Sequence, residues 1–409
     1  MRQRSNATKS VVAPVGLMLM LVLSLVLEGA GWGGQQAGAQ TTTPRRAAPE
    51  PPLLEAQAWA LMDAESGLYL TGENADEQLP MASTAKIMSA LVVLEEGVNL
   101  DQEVEIDEEA EEFVGSTYSN VGLIAGERVT VRDLLVASLV PSGTDAVYAL
   151  AEHVGRGSVD NFVEMMNEKA ASMGLENTNF ETPAGLDTPG NYSSPRDLAK
   201  MAQVALKDPL FAEIVDTTDA TISTQNRTIE IFSTNQLLTT YPKATGVKTG
   251  TSPEAGANLV ASAESGDESF IAAVLDDEDR FPDAQAVLEY AFARYDRQLL
   301  VSQDEVHGEM PLPYRRGESV ELVAEEDVAA AIDPNSEVER RATNEEPPPS
   351  AEAGQRLGEV EVFVDGQSAG RSPLLAREGY EEASWFDMAW YGIGWVFDQA
   401  WYAVEGLFT

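Results

Sequence analysis

Pro80-Met81-Ala82-Ser83-Thr84-Ala85-Lys86-Ile87-Met88-Ser89-Ala90-Leu91-Val92-Val93-Leu94-Glu95-Glu96-Gly97 is the stretch from which the organisation of this chain can be read. Residues 83–96 are apolar almost all round and Gly97 stands where helices commonly end, which predicts a helix buried in the centre of a domain. Ser83 and Lys86 are three residues apart, so on a helix the hydroxyl and the amine share one face within hydrogen-bonding reach. Lys86 is the only charge between Leu79 and Glu95, and the helix carries it into apolar surroundings. Burial disfavours the charged form of a lysine, and a neutral amine can deprotonate a neighbouring serine. Taken alone, Ser-x-x-Lys is a weak signal that arises by chance on the order of once in a chain of this length. A lysine snorkelling from a core helix explains it equally well.

Working outward, residues 58–63 and 68–71 read as two strands joined by Glu65-Ser66-Gly67. Thr130 with Asp133 forms a capping-box pattern opening a helix over 130–140, broken by Pro141-Ser142-Gly143. Helices are expected over 145–153, 158–173 and 195–207, then strands over 247–252, 258–263 and 270–275, and a last helix over 283–295. Strands at both ends enclosing a helical insert predict an α+β domain, one antiparallel sheet packed against helices. This domain spans 53–297. Beyond it the composition shifts. Residues 301–323 and 358–375 alternate like short strands, with Asp365-Gly366 as a hairpin turn. A small β domain is placed at 298–377, with 325–352 as an acidic, Pro-rich loop.

The whole chain of 409 residues has a formal net charge of -42, 44% apolar residues and no cysteine. Thiol nucleophiles, disulfide scaffolds and cysteine metal sites are therefore excluded. A nucleic-acid partner is not expected, because so acidic a surface repels phosphate. Of its basic residues only Lys9, Lys86, Lys169, Lys200, Lys207, Lys243 and Lys248 are lysines. A surface rich in Asp and Glu and poor in Lys reads as an adaptation to high salt, where self-repulsion is screened. No cofactor or metal is implied.

Arg2, Arg4 and Lys9, the apolar run 11–27 and Ala37-Gly38-Ala39 read as a signal peptide over 1–39. Residues 40–52 form a Pro-rich tether. At the other end, 378–409 holds Trp385, Trp390, Trp395 and Trp401, four of the six tryptophans. Asp387, Asp398 and Glu405 project within about 20° of one another on a helix, with Val396, Ala400, Ala403 and Leu407 opposite. That pattern predicts an amphipathic helix lying in a membrane interface; a helix packed on the protein's own body is the competing reading.

Two further elements strengthen the reading of Ser83 and Lys86. Ser142-Gly143-Thr144 sits at the helix-breaking turn, and Lys248-Thr249-Gly250 sits on a strand before a hairpin. The three elements, spaced by about 60 and then about 105 residues, match the signature of penicillin-recognising serine enzymes. The chain closely resembles the D-alanyl-D-alanine carboxypeptidases, the low-molecular-mass penicillin-binding proteins. Pro80 to Lys86, Met166-Asn167-Glu168-Lys169-Ala170, Pro183-Ala184-Gly185-Leu186-Asp187, Asn235-Gln236-Leu237-Leu238 and Gly246 to Gly250 carry the likeness, which runs from Ala58 to Tyr290. The β domain and aromatic C-terminal helix resemble the membrane-tethered branch of that family.

The resemblance implies a serine transpeptidase/β-lactamase-like fold and a substrate, a peptidoglycan stem peptide ending in D-Ala-D-Ala. It implies Ser83 as nucleophile, Lys86 as general base, Ser142 as proton relay to the leaving amine, and the N–H groups of Ser83 and Thr251 as oxyanion hole. Lys248 and Thr249 would bind the terminal carboxylate, with Arg280 a further candidate. β-Lactams would act as inhibitors through a slowly hydrolysed acyl-enzyme. Thr144 departs from the family's usual Asn, which implies a changed rate or acyl-enzyme lifetime. An exported enzyme at the outer face of the cytoplasmic membrane, periplasmic where an outer membrane exists, is expected. A β-lactamase shares the three motifs but needs neither a β domain nor an anchor; a catalytically weak penicillin-binding wall protein is the other alternative.

Overall fold

The computed structural model describes residues 49–303 and 305–393. The signal peptide, most of the tether and residues 394–409 lie outside the described residues.

The chain opens with an antiparallel pair, β1 (Ala58–Asp63) and β2 (Tyr69–Glu73). A 3-10 turn (Ala82–Ala85) then feeds α1 (Lys86–Glu95), so the expected helix over 83–96 is a tight turn carrying Ser83 followed by an α-helix that begins at Lys86. Every residue of α1 from Lys86 to Val93 is buried, as its uniformly apolar sequence requires. The helical insert continues through β3 (Glu103–Glu105), α2 (Glu108–Glu111), β4 (Arg128–Thr130) and α3 (Val131–Leu139). Then come α4 (Thr144–Val154), α5 (Val159–Ser172), α6 (Pro195–Ala205) and α7 (Pro209–Val215). The hairpin β5 (Asp219–Ser223) and β6 (Thr228–Phe232) and the short α8 (Leu237–Thr240) complete it.

Side-chain caps set several of these starts. Thr130, Ser158, Ser194 and Asp208 each accept a backbone N–H from the first turn they precede, and Pro195 and Pro209 occupy the first helical positions. The box at Thr130 is only half closed: Thr130 Oγ1 accepts from Asp133 N, but Asp133 turns its carboxylate outward to Ser223 N at 3.0 Å, tying α3 to β5.

The sheet is completed by β7 (Ala244–Ser252), β8 (Gly256–Ser265) and β9 (Glu268–Leu275), giving the antiparallel order β2-β1-β9-β8-β7. The first and last strands of the α+β domain thus pair in the middle of the sheet, Ala58 opposite Leu275. Alternate residues of β9 enter different cores. Ile271, Ala273 and Leu275 pack with the helical insert, while Phe270, Ala272 and Val274 pack with α9 (Arg280–Arg294). A strand buried on both faces is continuously apolar, and β9 reads that way.

Beyond α9, β10 (Asp296–Val301) is followed by β11 (Val306–Pro311), β12 (Ser319–Ala324), β13 (Val328–Ile332), β14 (Val338–Asn344), β15 (Arg356–Val364) and β16 (Gln367–Ala376). β10 pairs with β13, and a five-stranded sheet has the order β11-β12-β16-β15-β14. Asp365 and Gly366, both at positive φ, turn β15 into β16. The span 325–352 is not the loop its composition suggests. It contains β13 and β14, because Val328, Ala330 and Ile332 supply an inward apolar face between the charged residues. At the C-terminal end, 378–384 is extended and Tyr380 bridges to Ala351, so the helix begins at 385, capped by Ser384 Oγ accepting from Asp387 N at 3.2 Å.

Candidate active site

The nucleophile turn is held from below by β7. A Cβ added at Gly250 would lie 2.9 Å from Met81 O and 3.2 Å from Ser83 N, so only glycine lets the strand pass this close to the turn. Asn258, fully buried on β8, donates from Nδ2 to Pro80 O at 3.0 Å and accepts from Asp276 N at 2.9 Å. On the other side Ser89 Oγ donates to Pro183 O at 2.6 Å, fixing the loop that bears Gly185 against the same turn.

Lys86 Nζ donates to Ser83 Oγ at 2.9 Å and to Thr144 Oγ1 at 3.4 Å. Lys86 is fully buried, and burial pushes its pKa down to about 7, against which the negative charge of Asp145 acts. At that value a large fraction of the amine is neutral at ordinary pH and can accept a proton from Ser83. Ser142 stands beside α4 with φ 67°, a left-handed conformation uncommon outside glycine, and its buried Oγ has no hydrogen-bond partner among the described residues. A buried hydroxyl left without a partner is costly, and a reacting group in the cleft would supply one.

Lys248 is buried on β7, and its Nζ donates to Thr249 O at 3.0 Å. Its pKa is lowered by burial first and then by the neighbouring charges of Lys86 and Arg280. Thr249 Oγ1 lies 2.6 Å from Thr234 Oγ1. Arg280 braces the end of β7, its Nη1 donating to Gly250 O at 2.8 Å, Thr251 Oγ1 at 2.7 Å and Asn258 O at 3.3 Å. Ser83, Lys86 and Thr144 are therefore joined by hydrogen bonds. Lys248 shares their electrostatic surroundings, and Arg280 joins through Thr251. Ser142 Oγ is bonded to none of them. His153, on α4, belongs to no such cluster.

Reasoning from sequence assigned no role to Thr234, Asn258, Asp145 or Asp187. Asp187 accepts from Ser252 Oγ and from Glu254 N, pinning the β7–β8 hairpin. The only advance signal was at Asp187, as the last residue of the Pro183–Asp187 stretch that carries the family likeness.

Comparison with known proteins places this architecture. The crystal structure of penicillin binding protein 5 from Haemophilus influenzae aligns with a TM-score of 0.69 at 33% identity, over 81% of this chain and 100% of that one. The fold is thus that of a penicillin-binding protein with a C-terminal β domain. Residues 45–279 match the family model D-alanyl-D-alanine carboxypeptidase, and 295–382 match penicillin-binding protein 5, C-terminal domain. A D-alanyl-D-alanine carboxypeptidase of Streptomyces sp. strain K15 is 38% identical over 63% of this chain and 94% of its own length. Carboxypeptidase DacC of Escherichia coli K12 is 33% identical over 83% of this chain and 88% of its own. The chain belongs to the D-alanyl-D-alanine carboxypeptidase family, a family of peptidases that act on peptidoglycan peptides and bind penicillin.

Proposed function

We propose that this protein is a serine-type carboxypeptidase that removes the terminal D-alanine from peptidoglycan stem peptides through an acyl-enzyme on Ser83. The observation that carries the reading is the 2.9 Å contact between Ser83 Oγ and the buried Lys86 Nζ. Ser83 Oγ attacks the carbonyl between the two D-alanines as its proton passes to Lys86. The carbon–nitrogen bond breaks, and the leaving amine takes a proton by way of Ser142. Water, deprotonated in turn, then cleaves the ester and restores Ser83. The backbone N–H groups of Ser83 and Thr251 stabilise the oxyanion.

Thr249, Thr251 and Arg280 are the groups that meet the substrate's carboxylate. Lys248, enclosed on β7 with its Nζ on Thr249 O, supports that pole of the site by holding Thr249 in place. A β-lactam enters the same path and leaves a long-lived ester.

The enzyme works outside the cytoplasm, held at the membrane surface by the C-terminal helix. Among the described residues no helix is long and apolar enough to cross a membrane. The described turns of that helix expose Trp385, Phe386, Trp390 and Ile393, side chains suited to the headgroup depth of a bilayer. Release of D-alanine from a diacylated Lys-D-Ala-D-Ala peptide, abolished in Ser83→Ala, tests the activity. Rapid turnover of penicillin with no D-alanine release would instead mark a β-lactamase.

A further inference from the structure

Asp145 is the second residue of α4 and is fully buried. A buried carboxylate must have its oxygens satisfied, and three backbone N–H groups do so here: Val121 at 3.0 Å, Leu123 at 3.0 Å and Ala146 at 2.9 Å. Two of those donors belong not to α4 but to a loop arriving from α2. The same loop is fastened a second time, where Ser119 O accepts from Thr144 N at 2.7 Å. Gly143, between Ser142 and Thr144, has no room for a side chain. An added Cβ would lie 2.7 Å from Ala137 O and 3.0 Å from Asp145 Oδ1. The Ser142 turn, the loop and the carboxylate are therefore one packed unit.

Among the described residues no ion pair joins Asp145 to Lys86. The charge acts across the gap instead, and it is the influence that opposes burial at Lys86. The charged groups facing Lys86 are Asp145 from α4 and Lys248 from β7, and the hydroxyls of Ser83 and Thr144 complete its contacts. We propose that Asp145 is a positioning residue for the Ser83–Lys86 pair, tying the 119–123 loop to the Ser142 turn and supplying the negative charge that Lys86 faces. The proposal rests on Lys86 being the base.

Asp145→Asn removes the charge and turns an amide NH2 towards donors that need an acceptor. The wild-type enzyme has an acid limb in kcat/KM for D-alanine release that reports protonation of Lys86. In Asp145→Asn, or Asp145→Ser, that limb moves to lower pH by roughly one unit, because an opposite charge no longer favours the ammonium. Asp145→Glu returns it towards the wild-type position. Arg227→Lys is the control: Arg227 holds the outer side of the loop through Glu127 and Gly122 O, and lysine keeps the cation that acts on Asp145 while losing the fork that grips both partners, so the loop slackens with the charges unchanged. It lowers the rate without moving the limb.

An unshifted limb in the neutral variants overturns the proposal, as does an equal shift in Arg227→Lys. If neither neutral variant folds while Asp145→Glu does, the carboxylate is a structural strut and the proposal falls. A wild type with D-alanine release but no acid limb would defeat the reading of Lys86 as base, which is a separate failure and removes the ground of this proposal as well.

Discussion

Lys86 Nζ stands between two hydroxyls, 2.9 Å from Ser83 Oγ and 3.4 Å from Thr144 Oγ1, at the buried start of α1. The helix brings the amine to the serine, and burial brings its pKa to about 7.

Activity should therefore depend on pH through Lys86. The base must be neutral, so kcat/KM for D-alanine release falls as pH drops below about 7, and acylation by a fluorescent penicillin falls with it. Lys86→Arg, which stays charged, lowers acylation by at least about a hundredfold at every pH. A rate independent of pH between about 5 and 8 would contradict the assignment.

The same lysine costs stability. Its folded-state pKa lies below the unfolded value, so the unfolded chain binds more protons across the window from about 7 up to the ordinary lysine value of 10.5. Stability contributed through this group rises with pH across that window, and the penalty is full below it. Lys86→Met, which keeps the buried stem, should be more stable than wild type at pH 7 by an amount on the order of a few kcal/mol, an advantage that shrinks towards pH 10. Denaturant titrations at the two pH values measure it.

By the family resemblance, Asn is expected at the position of Thr144. Its hydroxyl reaches Lys86 only at 3.4 Å, and a longer amide would approach both Lys86 and a bound peptide more closely. Thr144→Asn should change acylation or deacylation by about tenfold without abolishing either, as burst kinetics with a fluorescent penicillin will show. Loss of acylation in the variant would mean that the turn is built around threonine.

The net charge of -42 opposes both an anionic substrate carboxylate and an anionic membrane. Screening relieves both, so D-alanine release and binding to anionic vesicles should rise with ionic strength. A steady fall with added salt would remove the high-salt interpretation.

Much of this was legible in the sequence where a single physical demand governs the residues. The apolar continuity of 83–96 announced a buried helix, and Thr130 and Ser158 announced helix starts. Asp365-Gly366 announced a hairpin, because few other pairs accept two positive φ angles. The span 325–352 misled because β14 is exposed along almost its whole length and carries Glu339, Arg340 and Arg341, while β13 is flanked by Glu325, Glu326, Asp327 and Asp333, so composition alone reads the span as loop. At five residues β13 is too short for its core-facing positions to show as a period. Thr234, Asn258 and Asp145 were illegible for another reason. Each meets the site through a partner between about 15 and 180 residues away, and no local pattern encodes such a pairing.

The central claim is that Ser83 is the residue acylated with the help of Lys86. Intact-protein mass spectrometry after exposure to penicillin, followed by peptide mapping, tests it most directly. One β-lactam adduct on Ser83, absent in Ser83→Ala and much slowed in Lys86→Arg, is the expected result. An adduct on another residue, or no adduct on folded protein at neutral pH, would contradict it.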